Sequence, residues 1–489
     1  MHVGEANTNY HVSIITNLEA FKTAHGEFRA SQLKTQSHQV IFENEVFFCY
    51  LSKKKIFEND KATHYFLKEA GEDGITFQKL EDLAICIVPA IKGSKIGAID
   101  VSLDVTLTAH QLGVLYYSFT QVNYKYETKG VEDSKSSFIN SINFVGYDAA
   151  ILQDEEFKYF SILSESKAYG RDLANSRVNI LNTHNIPDLV DEFIKEHPEV
   201  TKTQYVGEEV REQGLRMHYE VGKGSANPPL FINLKYNGNP ASEEYHALIG
   251  KGVIFDVGGT NIKQGPLMFW MFLDKGGACA VYAAFRGIVK AGLKVNVTCS
   301  IPFAENSVDG AGYRTSDIIK SFNGKTVEIT NTDAEGRLLL ADAMTWTQKN
   351  YKLNSMIELS TLTGASLVAL GHEYAAIMSN HDCIVDELTN AGKSINEKLW
   401  RLPLCDYIRK RIKTGPADLK NSALAMDGGT IEAGCFLENF ADPNVRWIHV
   451  DIAAAMINMA ATFGPYSQGG TGFGVGFLME HFRNVSKSA

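Results

Sequence analysis

The sequence lacks a long apolar run and an excess of positive charge. No stretch has the roughly 20 consecutive apolar residues that a transmembrane helix needs, so we expect no membrane span. The formal net charge is −10 and the pI is about 5.8. Binding to nucleic acid or to an anionic membrane surface needs a cationic face. We therefore expect neither nucleic acid nor a membrane as a partner.

The sequence also lacks paired cysteines. Its seven cysteines are scattered, and none stands in a Cys-x-x-Cys pair. Such a set is typical of reduced thiols rather than of a disulfide framework or a structural zinc site. Met1–Phe21 has neither the basic and apolar regions of a secretory signal nor the arginine content of a transit peptide. The sequence therefore predicts a cytoplasmic protein.

The length indicates more than one domain. A chain of 489 residues is too long for a single comfortable core. Short β-rich runs such as Val40–Leu51 and Leu83–Val88 alternate with helical stretches, which predicts a smaller N-terminal α/β domain over residues 1–153. The polar segment 154–174 predicts a connecting helix. Residues 175–489 are expected to form a larger catalytic α/β domain.

This C-terminal region repeats a strand, a glycine loop and a helix. Strand patterns occur at Val253–Phe255, Val295–Ile301, Met356–Leu359 and Trp447–Ile452. Helical patterns follow Gly277 and Gly336. Alternating strands and helices predict a central, largely parallel sheet, whose sites lie beyond the carboxyl ends of the strands. Asp256, Thr361 and Ala453 fall at such ends.

The most informative stretch reads Asn-Thr-Asp-Ala-Glu-Gly-Arg, from Asn331 to Arg337. Asp333 and Glu335 stand two positions apart, so one short turn can direct both carboxylates at the same point. A second charged group upstream contains Lys251, Asp256, Lys263 and Asp274. Two divalent ions close together need several carboxylates, at least one of them bridging. The combined pattern predicts a two-metal hydrolase.

The surroundings of these charged residues support that interpretation. Each of the four carboxylates stands beside glycine or at a strand end, among apolar residues. A buried carboxylate needs a metal or a cationic partner, although acids are mostly exposed and any one of these could be an ordinary surface residue. Near two dications Lys251 would become neutral and could be a ligand. A charged Lys263 could stabilise an oxyanion; ordinary salt bridges are the alternative for either lysine.

These blocks resemble the leucyl (cytosol) aminopeptidases. The likeness spans roughly residues 165–485 and rests on 250–259, 261–263, 274–278 and, most specifically, 331–337. Further matching runs are Ala304–Asn306, Tyr313–Arg314, Gly324–Glu328, Thr361–Ala365 and Gly472–Gly474. The implied function is a metal-dependent aminopeptidase that hydrolyses the N-terminal bond of peptides, with leucine preferred. The resemblance also implies a homohexamer.

The resemblance implies a role for each charged residue. The ligands of two divalent ions, Zn²⁺ or Mn²⁺ with Mg²⁺ or Co²⁺ as further choices, would be Lys251, Asp256, Asp274, Asp333 and Glu335. Asp256 and Glu335 would bridge the two ions. Lys263 would polarise the scissile carbonyl, and Arg337 would hold a bicarbonate that acts as the general base.

The resemblance also implies a set of substrate-binding residues. They are Met271, Asn331, Thr361, Leu362, Gly364, Ala453 and Met456. The apolar members of the set suit a side chain the size of leucine. For Met456, ordinary core packing is an equally good interpretation.

Two substitutions beside Asp274 leave a second interpretation open. The family usually has Met-Lys-x-Asp-Met where this chain has Met271–Lys275, so Phe272 and Lys275 depart from it, and Val257 replaces a serine. The alternative is therefore a homologue with the same fold but impaired turnover. A remote alternative is an actin-like sugar kinase, since Phe255–Lys263 resembles the phosphate loop of those enzymes. That interpretation leaves the run 331–337 unexplained.

Overall fold

The computed structural model describes residues 2–4, 10–15, 38–42, 45–51, 62–67, 75–92, 98–103, 106–126, 141–425 and 427–488. The chain divides into two compact units. The smaller is Met1–Ser164 with Thr462–Ser467, and the larger is Glu165–Ala461 with Gln468–Ala489. Each contains a sheet and helices, which confirms the predicted fold class.

The first unit contains a seven-stranded sheet. Its strands are β1 (His2–Gly4), β2 (Tyr10–Ile15), β3 (His38–Phe42), β4 (Glu45–Leu51), β5 (Ala62–Leu67), β6 (Ala98–Leu103) and β7 (Ser141–Val145). They lie in the order β1-β7-β6-β2-β5-β4-β3. The pairs from β1 to β5 in this order are parallel, and the last two are antiparallel. Helices α1 (Phe77–Lys92) and α2 (Ala109–Asn123) pack against each other.

One strand prediction in this unit is wrong. The run Val40–Leu51 contributes to the antiparallel strands β3 and β4, but Leu83–Val88 lies inside helix α1. Buried residues recur at helical spacing there, at Leu80, Ala84 and Ile87. A short apolar run alone does not distinguish a strand from a buried helix. The helical spacing of the buried residues is the signal that favours a helix here.

The second unit contains a nine-stranded sheet. Its strands are β8 (Val200–Val206), β9 (Leu230–Asn237), β10 (Tyr245–Gly250), β11 (Gly252–Asp256), β12 (Asn296–Asn306), β15 (Leu353–Ser360), β16 (Tyr374–Ser379), β17 (Lys398–Arg401) and β19 (Arg446–Asp451). They lie in the order β17-β16-β19-β15-β10-β12-β9-β8, with β11 also paired to β12. The remaining strands are β13 (Ile318–Lys320), β14 (Thr326–Glu328), β18 (Leu419–Lys420), β20 (Ile457–Phe463) and β21 (Tyr466–Gly470).

Helices follow most of these strands. They are α3 (Glu155–Asn175), α4 (Ile186–Glu196), α5 (Glu208–Glu212), α6 (Arg216–Gly222), α7 (Gly276–Lys290), α8 (Gly336–Asn350), α9 (Gly364–Leu370), α10 (Asp382–Ser394), α11 (Asp406–Arg411), α12 (Gly429–Glu438), α13 (Ala453–Met456) and α14 (Val475–Ser488). Two 3-10 helices cover Ala149–Gln153 and Gly265–Leu273. Helix α3 covers the segment in which a connecting helix was expected.

The centre of the larger sheet is parallel, as predicted. Strand β10 runs parallel to β12 and β15, and β15 runs parallel to β19. Antiparallel pairs occur where β9 joins β12 and β8, and where β16 joins β19. The four predicted strands correspond to β11, β12, β15 and β19, and the two predicted helices correspond to α7 and α8. The carboxyl ends of the parallel strands therefore share one rim, where the candidate site lies.

The sequence predicts neither a membrane span nor a disulfide framework, and the described residues bear on both predictions. Within those residues, no helix combines the length and the apolar composition that crossing a membrane requires. The cysteines with described side chains are Cys279, Cys299, Cys383, Cys405 and Cys435, and all five are free thiols.

Candidate metal centre

The structure brings the five predicted metal ligands together at this rim. Asp256 ends β11, and Lys251 lies in the link between β10 and β11. Asp274 follows the second 3-10 helix, Glu335 immediately precedes α8, and Asp333 lies in the loop before it. Loops that are distant in sequence thus supply four carboxylates and one amine to a single site.

Three of the carboxylates form the centre of the cluster. Oxygens of Asp256, Asp333 and Glu335 all lie within 4.8 Å of one another. Asp256 and Glu335 are only 2% and 1% exposed. Burial, reinforced by the Asp256 carboxylate, raises the pKa of Glu335 to about 8. Carboxylates this close and this buried stay ionised together only when cations compensate them, and the protein itself supplies two.

Lys251 is the buried cation. Its Nζ lies 2.8 Å from Asp274 Oδ2 and 2.9 Å from Glu335 Oε1, and it donates a 3.0 Å hydrogen bond to the Thr361 carbonyl. Burial lowers the pKa of Lys251, but the Asp274 and Glu335 carboxylates outweigh burial and hold the pKa above its ordinary value. The lysine reaches this position because Gly336 has no side chain: a Cβ there would lie 2.5 Å from the Lys251 Cε.

Lys263 is the second cation and is partly accessible to solvent. Its Nζ lies 2.9 Å from Asp256 Oδ2 and 2.6 Å from Asp333 Oδ1, with 18% of the side chain exposed. Burial lowers its pKa, but the surrounding carboxylates, Asp256 foremost, raise it above the ordinary value. Lys263 therefore stays protonated next to the carboxylate cluster.

Polar groups outside the predicted set fix Asp256 in place. The side-chain amide of Asn306 donates 2.7 Å to Asp256 Oδ1 and 3.0 Å to the Thr332 carbonyl. The Gly258 N–H donates to the same Asp256 oxygen at 2.8 Å, and the Tyr313 hydroxyl also donates to the Thr332 carbonyl, at 2.7 Å. Asn306 was not among the predicted site residues. It ends β12 as Asp256 ends β11, but the strand predicted from the sequence stopped at Ile301, five residues earlier.

The glycine loop after Asp256 has a simple steric explanation. Gly258 has a φ of +90°, and a Cβ there would lie 2.4 Å from the Asn261 carbonyl oxygen and 2.8 Å from Asp333 Oδ1. Glycine allows the loop to approach the carboxylate that closely. The resemblance of this loop to a kinase phosphate loop thus has a local cause that requires no phosphate.

Arg337 lies at the start of α8, two residues after Glu335 in the sequence. Its Nη1 donates 2.7 Å to the Asn421 carbonyl and contacts Glu432 Oε1 at 3.4 Å. Both charged side chains are buried, and burial lowers the pKa of Arg337. Within the part of the chain that the structure describes, Arg337 Nε is buried and has no hydrogen-bond acceptor. Glu432 belongs to no sequence motif and was not among the predicted site residues.

The predicted substrate residues differ in accessibility. Met271, Leu362 and Ala453 are half-buried and apolar, whereas Thr361 and Met456 are buried. The two buried residues pack around Gly276, where a Cβ would lie 2.8 Å from Met456 Cγ and 2.9 Å from Thr361 Cγ2. Thr361 also donates 2.9 Å to Asp274 Oδ1. Thr361 and Met456 therefore pack in the core behind Asp274, one of the predicted metal ligands.

Two predicted substrate residues are linked by a residue that the sequence analysis missed. Asp451 Oδ1, at the end of β19, accepts hydrogen bonds from the Leu362 and Ala453 N–H groups at 3.2 and 3.1 Å.

Asn331, another predicted substrate residue, holds the backbone beside a predicted metal ligand, since its Oδ1 accepts a 2.9 Å hydrogen bond from the Asp333 N–H. Gly364 is exposed at the start of α9.

The two substitutions beside Asp274 contact the end of helix α3. Lys275 is fully buried, and its Nζ donates to the carbonyls of Ser176, Phe272 and Ala174 at 2.7, 2.5 and 3.3 Å. The Arg177 guanidinium carbon lies 3.5 Å from the centre of the Phe272 ring. The ammonium thus satisfies carbonyls at a helix C-terminus, where positive charge is favourable. It also connects the turn before Asp274 to α3.

Replacing Lys275 by methionine is expected to lower stability, because two buried carbonyls and one partly buried carbonyl lose a donor. An unsatisfied buried polar group costs roughly 1–3 kcal/mol, so we expect a loss of about 2 kcal/mol in the free energy of unfolding. Denaturant unfolding at a fixed metal concentration measures it, with Lys320→Met, at an exposed lysine, as the control. Equal stability of the Lys275 variant and the wild type would show that these hydrogen bonds are dispensable.

Comparison with known proteins identifies relatives of this chain. Residues 168–479 match the cytosol aminopeptidase family, catalytic domain. A probable cytosol aminopeptidase from Sulfurihydrogenibium sp. (strain YO3AOP1) is 35% identical over 453 residues, which cover 90% of this chain and 84% of the relative. Another, from Persephonella marina (strain DSM 14350 / EX-H1), is 41% identical over 322 residues, which cover 66% of this chain and 64% of the relative.

The likeness extends to a solved structure. The bottromycin maturation enzyme BotP in complex with Mn has a TM-score of 0.81 and 26% sequence identity. The match covers 98% of this chain and 100% of the BotP chain.

Proposed function

The chain belongs to the cytosol aminopeptidase family, and on that premise we propose that it hydrolyses the N-terminal bond of peptides with a preference for leucine. The observation that carries this proposal is the convergence of four carboxylates and two lysines at one rim of the sheet. The cluster is largely buried, and its oxygens are close enough to share cations. Such an arrangement suits metal-assisted hydrolysis.

We propose that the cluster holds two divalent metal ions. Hard carboxylate oxygens with one nitrogen donor suit Zn²⁺, Mn²⁺, Mg²⁺ or Co²⁺, and the complex of BotP with Mn makes Mn²⁺ the first ion to test. The residues that would hold the ions are Lys251, Asp256, Asp274, Asp333 and Glu335, and Asp256 and Glu335 would be shared between them. When bound, such ions lower the pKa of a coordinated water and polarise a carbonyl.

The two lysines have different proposed roles. Lys251 is enclosed by carboxylates, and the charge of nearby divalent ions would favour its neutral amine, which can be a ligand. Lys263 is more accessible and keeps two carboxylates beside its ammonium. A fixed, protonated ammonium can stabilise the negative oxygen that develops during peptide hydrolysis.

We propose that the apolar, half-buried Met271, Leu362 and Ala453 contact the side chain of the N-terminal residue. Asp451 supports this surface by holding the Leu362 and Ala453 backbone. Thr361, Gly364, Met456 and Asn331 would shape it from the adjoining elements. An apolar surface of this kind favours leucine over small or charged side chains.

A series of aminoacyl-p-nitroanilides is expected to reveal the leucine preference. Each extra methylene in an apolar pocket contributes about 1–3 kcal/mol, so kcat/KM for leucine should exceed that for glycine by about 100-fold or more. The assay uses the purified protein with added Mn²⁺ or Zn²⁺. No turnover with any metal would favour the alternative of a catalytically impaired homologue, and ADP release dependent on ATP and sugar would favour the kinase.

We further propose a homohexamer located in the cytoplasm. Arg337 is the residue at which a bicarbonate would bind if it acted as the general base, as the family resemblance implies. The free Nε donor of Arg337 fits an anion, whereas the neighbouring carboxylate of Glu432 opposes one. Light scattering coupled to size-exclusion chromatography tests the oligomer, since a hexamer has six times the 54.0 kDa mass of the chain.

A further inference from the structure

The charge of Arg337 is already matched by a buried carboxylate. Arg337 Nη1 lies 3.4 Å from Glu432 Oε1, and the two side chains are only 7% and 5% exposed. The carboxylates of Glu335 and Asp451 also act on Arg337 electrostatically. The guanidinium is therefore surrounded by negative charge rather than being an isolated cation.

Glu432 is held in place by more than Arg337. Its Oε1 accepts hydrogen bonds from the Ser422 hydroxyl and the Ala423 N–H, both at 3.1 Å. Arg337 in turn donates to the Asn421 carbonyl. The pair thus connects α8 and α12 to the segment 421–423, and Glu432 has little freedom to move away from the guanidinium.

We propose that Glu432 acts as a built-in anion beside Arg337 and weakens the binding of an external monoanion such as bicarbonate. An incoming anion would enter a buried site where the cation is already neutralised, and charge repulsion is strong where water is excluded. Glu432 is therefore a positioning residue that makes the protein largely independent of bicarbonate. The inference rests on the proposed role of Arg337 as the anion-binding residue.

The substitution Glu432→Gln tests the effect of the negative charge separately from that of the hydrogen bonds. The glutamine carbonyl can still accept from Arg337, Ser422 and Ala423, but the negative charge is gone. We expect the variant to bind bicarbonate about tenfold more tightly than the wild type. Glu438→Gln is the matched control, because it removes a carboxylate from the same helix, where Glu438 pairs with Arg409 instead.

The experiment has two readouts on the metal-loaded protein in carbon dioxide-free buffer. Calorimetric titration with sodium bicarbonate measures binding without any turnover. Leucine-p-nitroanilide hydrolysis measures activity with and without bicarbonate. In the wild type we expect no binding below millimolar bicarbonate and less than about a twofold change in kcat; in Glu432→Gln we expect both binding and a clear activation by bicarbonate.

Equally tight bicarbonate binding by the wild type and Glu432→Gln would overturn the inference, as would a wild type that is inactive without bicarbonate. If Glu432→Gln does not fold, the wild-type titration is a sufficient test. Saturation of the wild type at micromolar bicarbonate would show that the Glu432 carboxylate does not weaken anion binding at Arg337. Binding and activity separate the two proposals. Tighter binding by the variant without any peptidase activity would leave the role of Glu432 intact and reject the proposed function.

Discussion

Replacing Lys263 by alanine is expected to lower kcat about 10³-fold, while the melting temperature stays close to that of the wild type. Removing one preorganised donor from a developing oxyanion costs roughly 10²–10³ in kcat, and Lys263 carries a full charge between Asp256 and Asp333. Stability should change little, because divalent ions would compensate the same carboxylates. Steady-state kinetics with leucine-p-nitroanilide and thermal unfolding measure the two quantities.

Lys202 offers a matched control for this variant. Its side chain is also 18% exposed and pairs with a carboxylate, Asp191, at 2.5 Å, away from the proposed metal ligands. Lys202→Ala should leave kcat unchanged. Near-normal turnover in Lys263→Ala, or an equal loss in both variants, would reject the role proposed for Lys263.

Asp333→Ala is expected to remove one of the two metal ions and to lower kcat/KM by more than about 100-fold. Mutation of a residue that only hydrogen-bonds to a metal ligand lowers metal affinity or activity by roughly 10–100-fold, and Asp333 is proposed as a direct ligand. The side chain is 32% exposed, so its truncation should leave the fold intact. Elemental analysis of the purified protein should find about one ion per chain instead of two.

Asp427→Ala serves as the control, since Asp427 is an exposed aspartate that pairs with Arg411. It should retain two ions and full activity. Two ions per chain in Asp333→Ala would contradict the ligand assignment, whatever the activity of the variant.

The sequence predicted the parts of the site that follow from local patterns. Asp256 was found because it ends an apolar strand in an α/β repeat, and such ends meet at one rim. Asp333 and Glu335 were found because their spacing and the block around them are specific. The structure brings these residues together as the pattern predicted.

Contacts between distant elements were beyond the reach of the sequence. Glu432 approaches Arg337 from a helix 95 residues away, and Asp451 holds Leu362 across 89 residues. Neither residue has a local motif. For Lys275, the sequence showed only that it departs from the family; its three carbonyl partners depend on where α3 ends in space.

All the proposed roles require that one cluster of side chains binds two divalent ions. Anomalous diffraction from a crystal of the Mn²⁺-loaded protein locates those ions. We expect two manganese peaks about 4 Å apart, enclosed by Lys251, Asp256, Asp274, Asp333 and Glu335. Manganese bound elsewhere, or carboxylates still paired only with Lys251 and Lys263 at saturating Mn²⁺, would show that this cluster is not a two-metal site.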